Sequence, residues 1–459
     1  MQHSFKYVSS LLLAGTFAVG LAAAGEATAG KDGFKLGEGT DYTLEAHFLT
    51  QVRGTYSSQR TDFAGDLYAW IGDRVEIPDA KSTEVSGIGS FRMRRVRAMF
   101  NGKAYKPWLT WKLESELYGD ETKPRLLDGY IKLGNDTGFY GQVGQFKAPF
   151  DLFVLAAPWK LQFGELPIAA SLSPGYDLGA LAGWRSPEGH WLARLAIQNG
   201  AGSNIPDDNN GKLTSLRVEY QNKDGFGDDR TSALHSDDTA YTVGFGWISN
   251  QVGGLVSEET GGSCLIGTTA NCVFDNTNRS AFELFAAMRT RDLSITTSWK
   301  RHTIEDGLLT DISGTTDDKE ITAAAADAGW FLFNEKVEVV GRYSLLKQTD
   351  PGFIAPPLGP DGLGNSVFKP SAPPNLVWGS ERTRQWGLGF NYYFREHNMK
   401  MHFSWTQTEI KNEVLDRLKI YVPDPGLGTP VIQQRLFFGR EGVIYRKSPV
   451  WYAMLTFYI

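Results

Sequence analysis

The chain is built on a two-residue rhythm, clearest between residues 107 and 118. There Leu109, Trp111, Leu113 and Leu117 fall on one face, with Thr110, Lys112, Glu114 and Glu116 on the other. Such alternation describes a strand with one apolar and one polar face. The preceding stretch, 89–100, breaks the period, because strict alternation would put arginines on both faces. One bulge at Arg94–Arg95 repairs it. Phe91, Met93, Val96, Ala98 and Phe100 then share a face, and Arg92, Arg94, Arg95 and Arg97 crowd the other. These guanidinium groups repel one another unless they face water or anions. In a soluble sandwich they would form a solvated face.

Alternation of this kind recurs along the chain, and helical periodicity does not. Strands are expected at 43–56, 89–100, 107–118, 127–133, 138–147, 177–186, 190–199, 212–221, 239–250, 279–290, 291–302, 321–333, 335–347, 383–395, 397–408 and 448–459. Short turns (101–106, 334–335, 396–397) alternate with long polar connections (57–88, 251–278, 348–382, 409–447). Strands of about ten residues, tilted, match a bilayer's thickness. No second sheet layer is evident to cover the recurring apolar face, so lipid is its natural cover. A closed sheet also satisfies every backbone group. The pattern therefore predicts an all-β fold, a 16-stranded antiparallel transmembrane β-barrel of the outer-membrane type.

One connection departs from the rule. After residue 150 the chain is apolar and broken by proline through 153–170, too apolar for a solvated loop and too irregular for a strand. It is expected to fold inward as the third loop and narrow the lumen. A loop packed at a subunit contact is the alternative.

Composition sharpens this picture. Residues 1–29 read as a signal peptide: Lys6, an apolar run at 11–24 and an Ala27-Thr28-Ala29 cleavage motif. The barrel domain is then 30–459. No later apolar stretch reaches the roughly 18 residues of a transmembrane helix. A net charge of -6 gives no footprint for nucleic acid. Cys264 and Cys272, close together in a polar stretch of an exported chain, suggest a loop disulfide. No further ligands for a metal lie near them, and no Cys-x-x-Cys-His motif would attach haem. No nucleophile or phosphate-loop motif stands out, so no catalytic residue is assigned and no cofactor is expected.

Four segments together carry a family resemblance: Phe91-Arg-Met-Arg-Arg-Val-Arg-Ala-Met-Phe-Asn-Gly102, Leu127-Asp-Gly-Tyr-Ile131, Gly144-Gln-Phe-Lys-Ala-Pro-Phe150 and Pro174-Gly-Tyr-Asp-Leu-Gly179. In order and spacing they resemble the phosphate-selective porin O/P family. The resemblance implies a sixteen-stranded barrel in the outer membrane of a Gram-negative bacterium, in contact with lipid and assembled as a homotrimer. It also implies a passive channel for phosphate or similar small anions, constricted by residues 150–175. Arg92, Arg94, Arg95 and Arg97 become candidates for the pore lining, together with Lys112, Lys132, Lys147 and Lys160.

The residues leave selectivity open. From 91 to 132, ten basic residues accompany five acidic ones in a chain that is acidic overall. Fixed cations in a narrow lumen concentrate anions. Yet Glu114 and Glu116 are placed to neutralise the arginines across adjacent strands. The inward connection has Lys160 as its one lysine, with Asp151 and Glu165 beside it. A general porin for small hydrophilic solutes, or a barrel sheathing a partner protein, are the competing readings.

Overall fold

Burial alternates without a break along residues 213–221, but with inverted chemistry. Leu213, Ser215, Arg217, Glu219 and Gln221 are buried, while Leu216, Val218 and Tyr220 stand further out. Polar groups face in and apolar groups face out. A sheet in water does the reverse, so the outer face of this one is made for hydrocarbon.

A computed structural model describes residues 28–30, 33–39, 42–71, 73–76, 83–119, 124–135, 137–204, 211–222, 239–252, 255–257, 272–274, 277–305, 319–332, 336–349, 358–360, 366–368, 382–414, 418–421 and 435–459. Sixteen antiparallel strands form a closed barrel. They are β1 (Tyr42–Ile71), β2 (Thr83–Ala104), β3 (Lys106–Gly119), β4 (Arg125–Gly134), β5 (Gly138–Lys147), β6 (Tyr176–Arg185), β7 (Trp191–Gln198) and β8 (Leu213–Gln221). Then follow β9 (Ala240–Val252), β10 (Thr277–Arg289), β11 (Leu293–Glu305), β12 (Lys319–Leu332), β13 (Val337–Thr349), β14 (Arg382–Arg395), β15 (Met399–Val414) and β16 (Arg435–Tyr458). Each pairs with the next, and β16 returns to β1, from Tyr458 opposite Leu49 to Phe437 opposite Trp70. Closure leaves the wall no free edge.

The outer face is as apolar as a bilayer requires. Phe91 is 88% exposed and Phe139 82%, and Val143, Leu388 and Trp451 are exposed as well. On the opposite face Arg217, Lys300, His302 and Lys400 are fully buried. Charged groups survive that burial because ion pairs and carbonyl oxygens surround most of them.

The predicted bulge is present. Gln51 lies opposite Arg95 and Val52 opposite Met93, which makes Arg94 the extra residue of β2. A second shift, between Val96 and Arg97, leaves Leu117 of β3 unopposed.

Several expected boundaries are corrected. β1 and β2 run on to Ile71 and back from Thr83, where a long loop was expected at 57–88. β15 continues to Val414, and β16 begins at Arg435 rather than near 448. Backbone ladders need only a paired backbone, so they continue through polar sequence once a neighbouring strand runs alongside. The turn expected at 101–106 tightens to Tyr105 alone, a non-glycine residue at φ 63. Residues 1–27 and Cys264 lie outside the described residues, and so does the side chain of Cys272; the signal peptide and the Cys264–Cys272 bond remain expectations from sequence.

Candidate functional site

The connection between β5 and β6, residues 148–175, packs against buried side chains of the wall. It opens with a four-residue helix, α1 (Leu152–Leu155), capped by Asp151, whose carboxylate accepts the Phe153 amide at 2.9 Å. Asp151 sits at φ 64, a conformation that L residues with a side chain rarely adopt. Its carboxylate also takes the Lys300 ammonium of β11 and the Ser173 hydroxyl from the returning limb. Both ends of the connection are thus held by one buried ion pair.

Apolar contacts hold the rest of this limb against the wall. Phe150 packs with Leu213, Ile248 and Ala281, and Leu152 with Ala240, Phe285 and Ala287. Phe153 meets Ala169, Ala170, Ala323 and Ala325, where small residues on β12 leave room for the ring. Trp159 stacks on Tyr458 of the last strand, with centroids 4.4 Å apart. A backbone with little regular hydrogen bonding must find partners elsewhere. Lys400 donates to Leu161 O at 2.6 Å, Asn391 to Gln162 O at 2.9 Å, Arg342 to Glu165 O at 2.7 Å, and the Ala169 amide to Ser344 Oγ at 3.0 Å.

A second polar cluster surrounds Gln162. Its amide donates to Ser294 Oγ at 2.7 Å and to Glu338 Oε1 at 2.9 Å. Glu338 also accepts from Asn391 and Tyr393, at 2.8 and 2.7 Å.

The third junction brings in the arginine strand. Glu165 accepts from Arg53 of β1 and from Arg94 of β2, with Arg94 Nε at 2.6 Å from Oε1 and its NH2 at 2.8 Å from Oε2. Arg95 NH2 lies 3.9 Å away. Burial alone would raise the Glu165 carboxyl. The Arg94 hydrogen bonds and the charges of Arg94, Arg95 and Arg92 outweigh burial and hold the group below the ordinary carboxylate value.

The family model for phosphate-selective porin O and P matches residues 72–417. The chain belongs to that family. No curated protein sequence matches it significantly. Among solved structures, the outer membrane channel DcaP of Acinetobacter baumannii is similar over 93% of this chain and 100% of its own, at 8% identity and a TM-score of 0.50. An anion-selective porin from Comamonas acidovorans (12% identity, 90% and 100% covered, TM-score 0.46) and the trimer form of OmpT from Vibrio cholerae (12%, 90% and 99%, TM-score 0.46) also match. The protein is a β-barrel of the Gram-negative outer membrane.

The porin disperses the eight cations singled out in the sequence. Arg92 is exposed, and Arg94 and Arg95 turn to Glu165. Arg97 is buried between Glu116 at 2.7 Å and Glu114 at 2.9 Å, the cross-strand neutralisation that the sequence left open. Lys112 meets Asp128 at 2.6 Å and Glu114 at 2.9 Å. Lys132 lies 4.4 Å from the centroid of the Tyr140 ring. Lys147 donates to Val154 O at 2.7 Å and Ala156 O at 3.3 Å. Lys160 is half-buried on the connection itself.

Sequence reasoning missed Arg53, Arg217, Lys300, Arg342 and Lys400. Each is a cation on the buried face of its strand. Their only signal in the sequence is a charge at a polar-face position, which many surface strands share.

Proposed function

We propose that the protein is a passive porin in which residues 148–175 cross the lumen and narrow it, and in which wall cations favour small anions such as phosphate. One observation carries this reading. The connection leaves the wall at Lys147 and returns at Tyr176, yet it touches buried side chains on β1, β2, β8 to β13 and β14 to β16. A segment that leaves from β5 and meets the strands from β8 through the closure to β2 has its natural path through the middle. Asp151–Lys300, Gln162–Glu338 and Glu165–Arg94 are then its three fastenings.

Anion preference draws its support from the junction at Glu165. Three guanidinium groups, those of Arg53, Arg94 and Arg95, meet one carboxylate there. A guanidinium group presents a fork of donors suited to the oxygens of phosphate. Elsewhere Glu114, Glu116 and Asp128 match Arg97 and Lys112, which supports the second reading, a weakly selective general porin. A lumen packed this closely argues against a sheath around a partner protein. A homotrimer is the assembly we infer from family membership, and cross-linking in outer-membrane vesicles tests it.

Single-channel recording in planar bilayers under a KCl gradient separates the readings. A reversal potential of anion sign, with current blocked by phosphate, supports the phosphate channel. Anion preference without block supports a general anion porin. Cation preference would overturn both.

A further inference from the structure

We propose that Ser404, His402 and Asn391 form a nucleophilic triad on the inner face of β14 and β15, with which the barrel hydrolyses esters of small acyl groups. This activity is separate from the passage of solutes.

Strand geometry brings the three groups together. His402 and Ser404 are two residues apart on β15, so their side chains leave the same face, and both are buried. Asn391 is the residue directly opposite His402 on β14. His402 Nε2 lies 2.8 Å from Ser404 Oγ, and His402 Nδ1 lies 2.6 Å from Asn391 Oδ1.

The neighbouring hydrogen bonds fix the tautomer of the ring. Asn391 Nδ2 donates to Glu338 Oε2 at 2.8 Å and to the Gln162 carbonyl at 2.9 Å, so the atom that faces His402 is the amide oxygen. An amide oxygen only accepts, and His402 Nδ1 therefore carries a hydrogen. In the neutral ring Nε2 is then the acceptor, and the Ser404 hydroxyl donates to it. A hydroxyl that donates to an imidazole held at its far nitrogen by a third group is the arrangement that activates serine. Fastening the connection needs only the Asn391 amide on Gln162. It places no demand on Ser404.

Space and charge adjoin this hydroxyl. Ser404 and His402 line a cavity of about 20 Å³ together with Arg53, Phe163, Gly164 and Arg342. Glu165 lines it too and is 27% exposed, so the cavity borders open space. A water takes about 10–15 Å³ of such room, which limits the acyl group to about two carbons, with the alcohol part lying outside. Arg53 and Arg342 bring positive charge to the cavity, where a carbonyl oxygen under attack becomes an oxyanion.

The chemistry balances with water as the second reactant. Ser404 Oγ attacks the carbonyl carbon as its proton passes to His402 Nε2. The tetrahedral intermediate expels the alcohol, which takes that proton, and leaves an acyl-Ser404 ester. Water then adds by the same route, releasing the carboxylic acid and restoring the hydroxyl.

The test uses the full-length barrel folded in detergent, with methanesulfonyl fluoride as the covalent probe and p-nitrophenyl acetate as the substrate. Heat-modifiable migration in SDS gels verifies folding of every variant. Mass spectrometry is expected to find the sulfonyl adduct of wild type on Ser404, and Ser404→Ala is expected to hydrolyse the ester no faster than buffer. His402→Gln is expected to slow both labelling and hydrolysis about 100-fold or more. Asn391 acts through His402, so Asn391→Ala is expected to lower kcat at unchanged KM, whereas mere loosening of the cavity would raise KM. No adduct on Ser404 in folded wild type, or equal labelling of His402→Gln, overturns the proposal and leaves a buried polar network. Conductance of the same wild-type sample is read in planar bilayers. A protein that forms no channel overturns the porin reading, whether or not Ser404 reacts.

Discussion

Arg94 and Glu165 form a two-pronged ion pair, at 2.6 and 2.8 Å, between the bulge of the second strand and the connection that follows the fifth. The bulge is what makes the pair. As the extra residue of its ladder, Arg94 has no opposite partner on β1, and its side chain is free of the strict alternation that orients Arg92 and Arg95.

Replacing Arg94 with Lys keeps the charge but loses the second prong. A hydrogen bond to a charged group contributes about 1.5–3 kcal/mol when desolvated, and partial exposure of Glu165 reduces that to about 1 kcal/mol. Limited proteolysis within 148–175, in detergent-folded protein, is expected to accelerate about five-fold. An unchanged rate would show that the loop does not depend on this pair.

Asp151 and Lys300 are both fully buried. Removing one partner, as in Asp151→Ala, strands a buried ammonium and is expected to cost about 3–5 kcal/mol. The double variant Asp151→Asn, Lys300→Met is expected to recover much of that loss. The temperature at which the folded band disappears in heat-modifiability gels checks both.

The Glu165 carboxyl lies below its ordinary value, so its share of loop docking is complete above about pH 4.5 and is lost as pH falls through the depressed pKa. Arg53 and Arg94 donate to this carboxylate, and Arg95 stands 3.9 Å from it. Channel noise is therefore expected to be constant from pH 7 to about pH 5 and to rise below about pH 4. Glu165→Gln should remove that transition. A transition that persists in the variant would assign it to another group.

Leu388 points outward from β14 and is 64% exposed. Leu388→Arg is expected to destabilise the membrane-inserted barrel by about 2–4 kcal/mol if the side chain sits near the bilayer midplane. Urea titration of folding into liposomes measures it, with Leu388→Phe expected to be near neutral. Equal stability of both variants would contradict a lipid-facing position.

The alternation of apolar and polar residues was enough to place all sixteen strands, because a barrel wall between lipid and a polar interior imposes a two-residue period on each strand separately. The bulge was legible for the same reason: four arginines at 92, 94, 95 and 97 cannot share a face without one extra residue. The odd composition of 150–175 was equally visible. What remained hidden were the partners. Arg94 finds Glu165 71 residues away, Arg53 finds it across 112, and Gln162 meets Glu338 across 176. No local period encodes such pairings, since they depend on where the closed wall turns and on the path of the connection. The sequence by itself determined a lipid-facing, sixteen-stranded wall with a cationic strand. The tertiary structure decided which of those cations a carboxylate already holds, because charge pairing is set by distance in space.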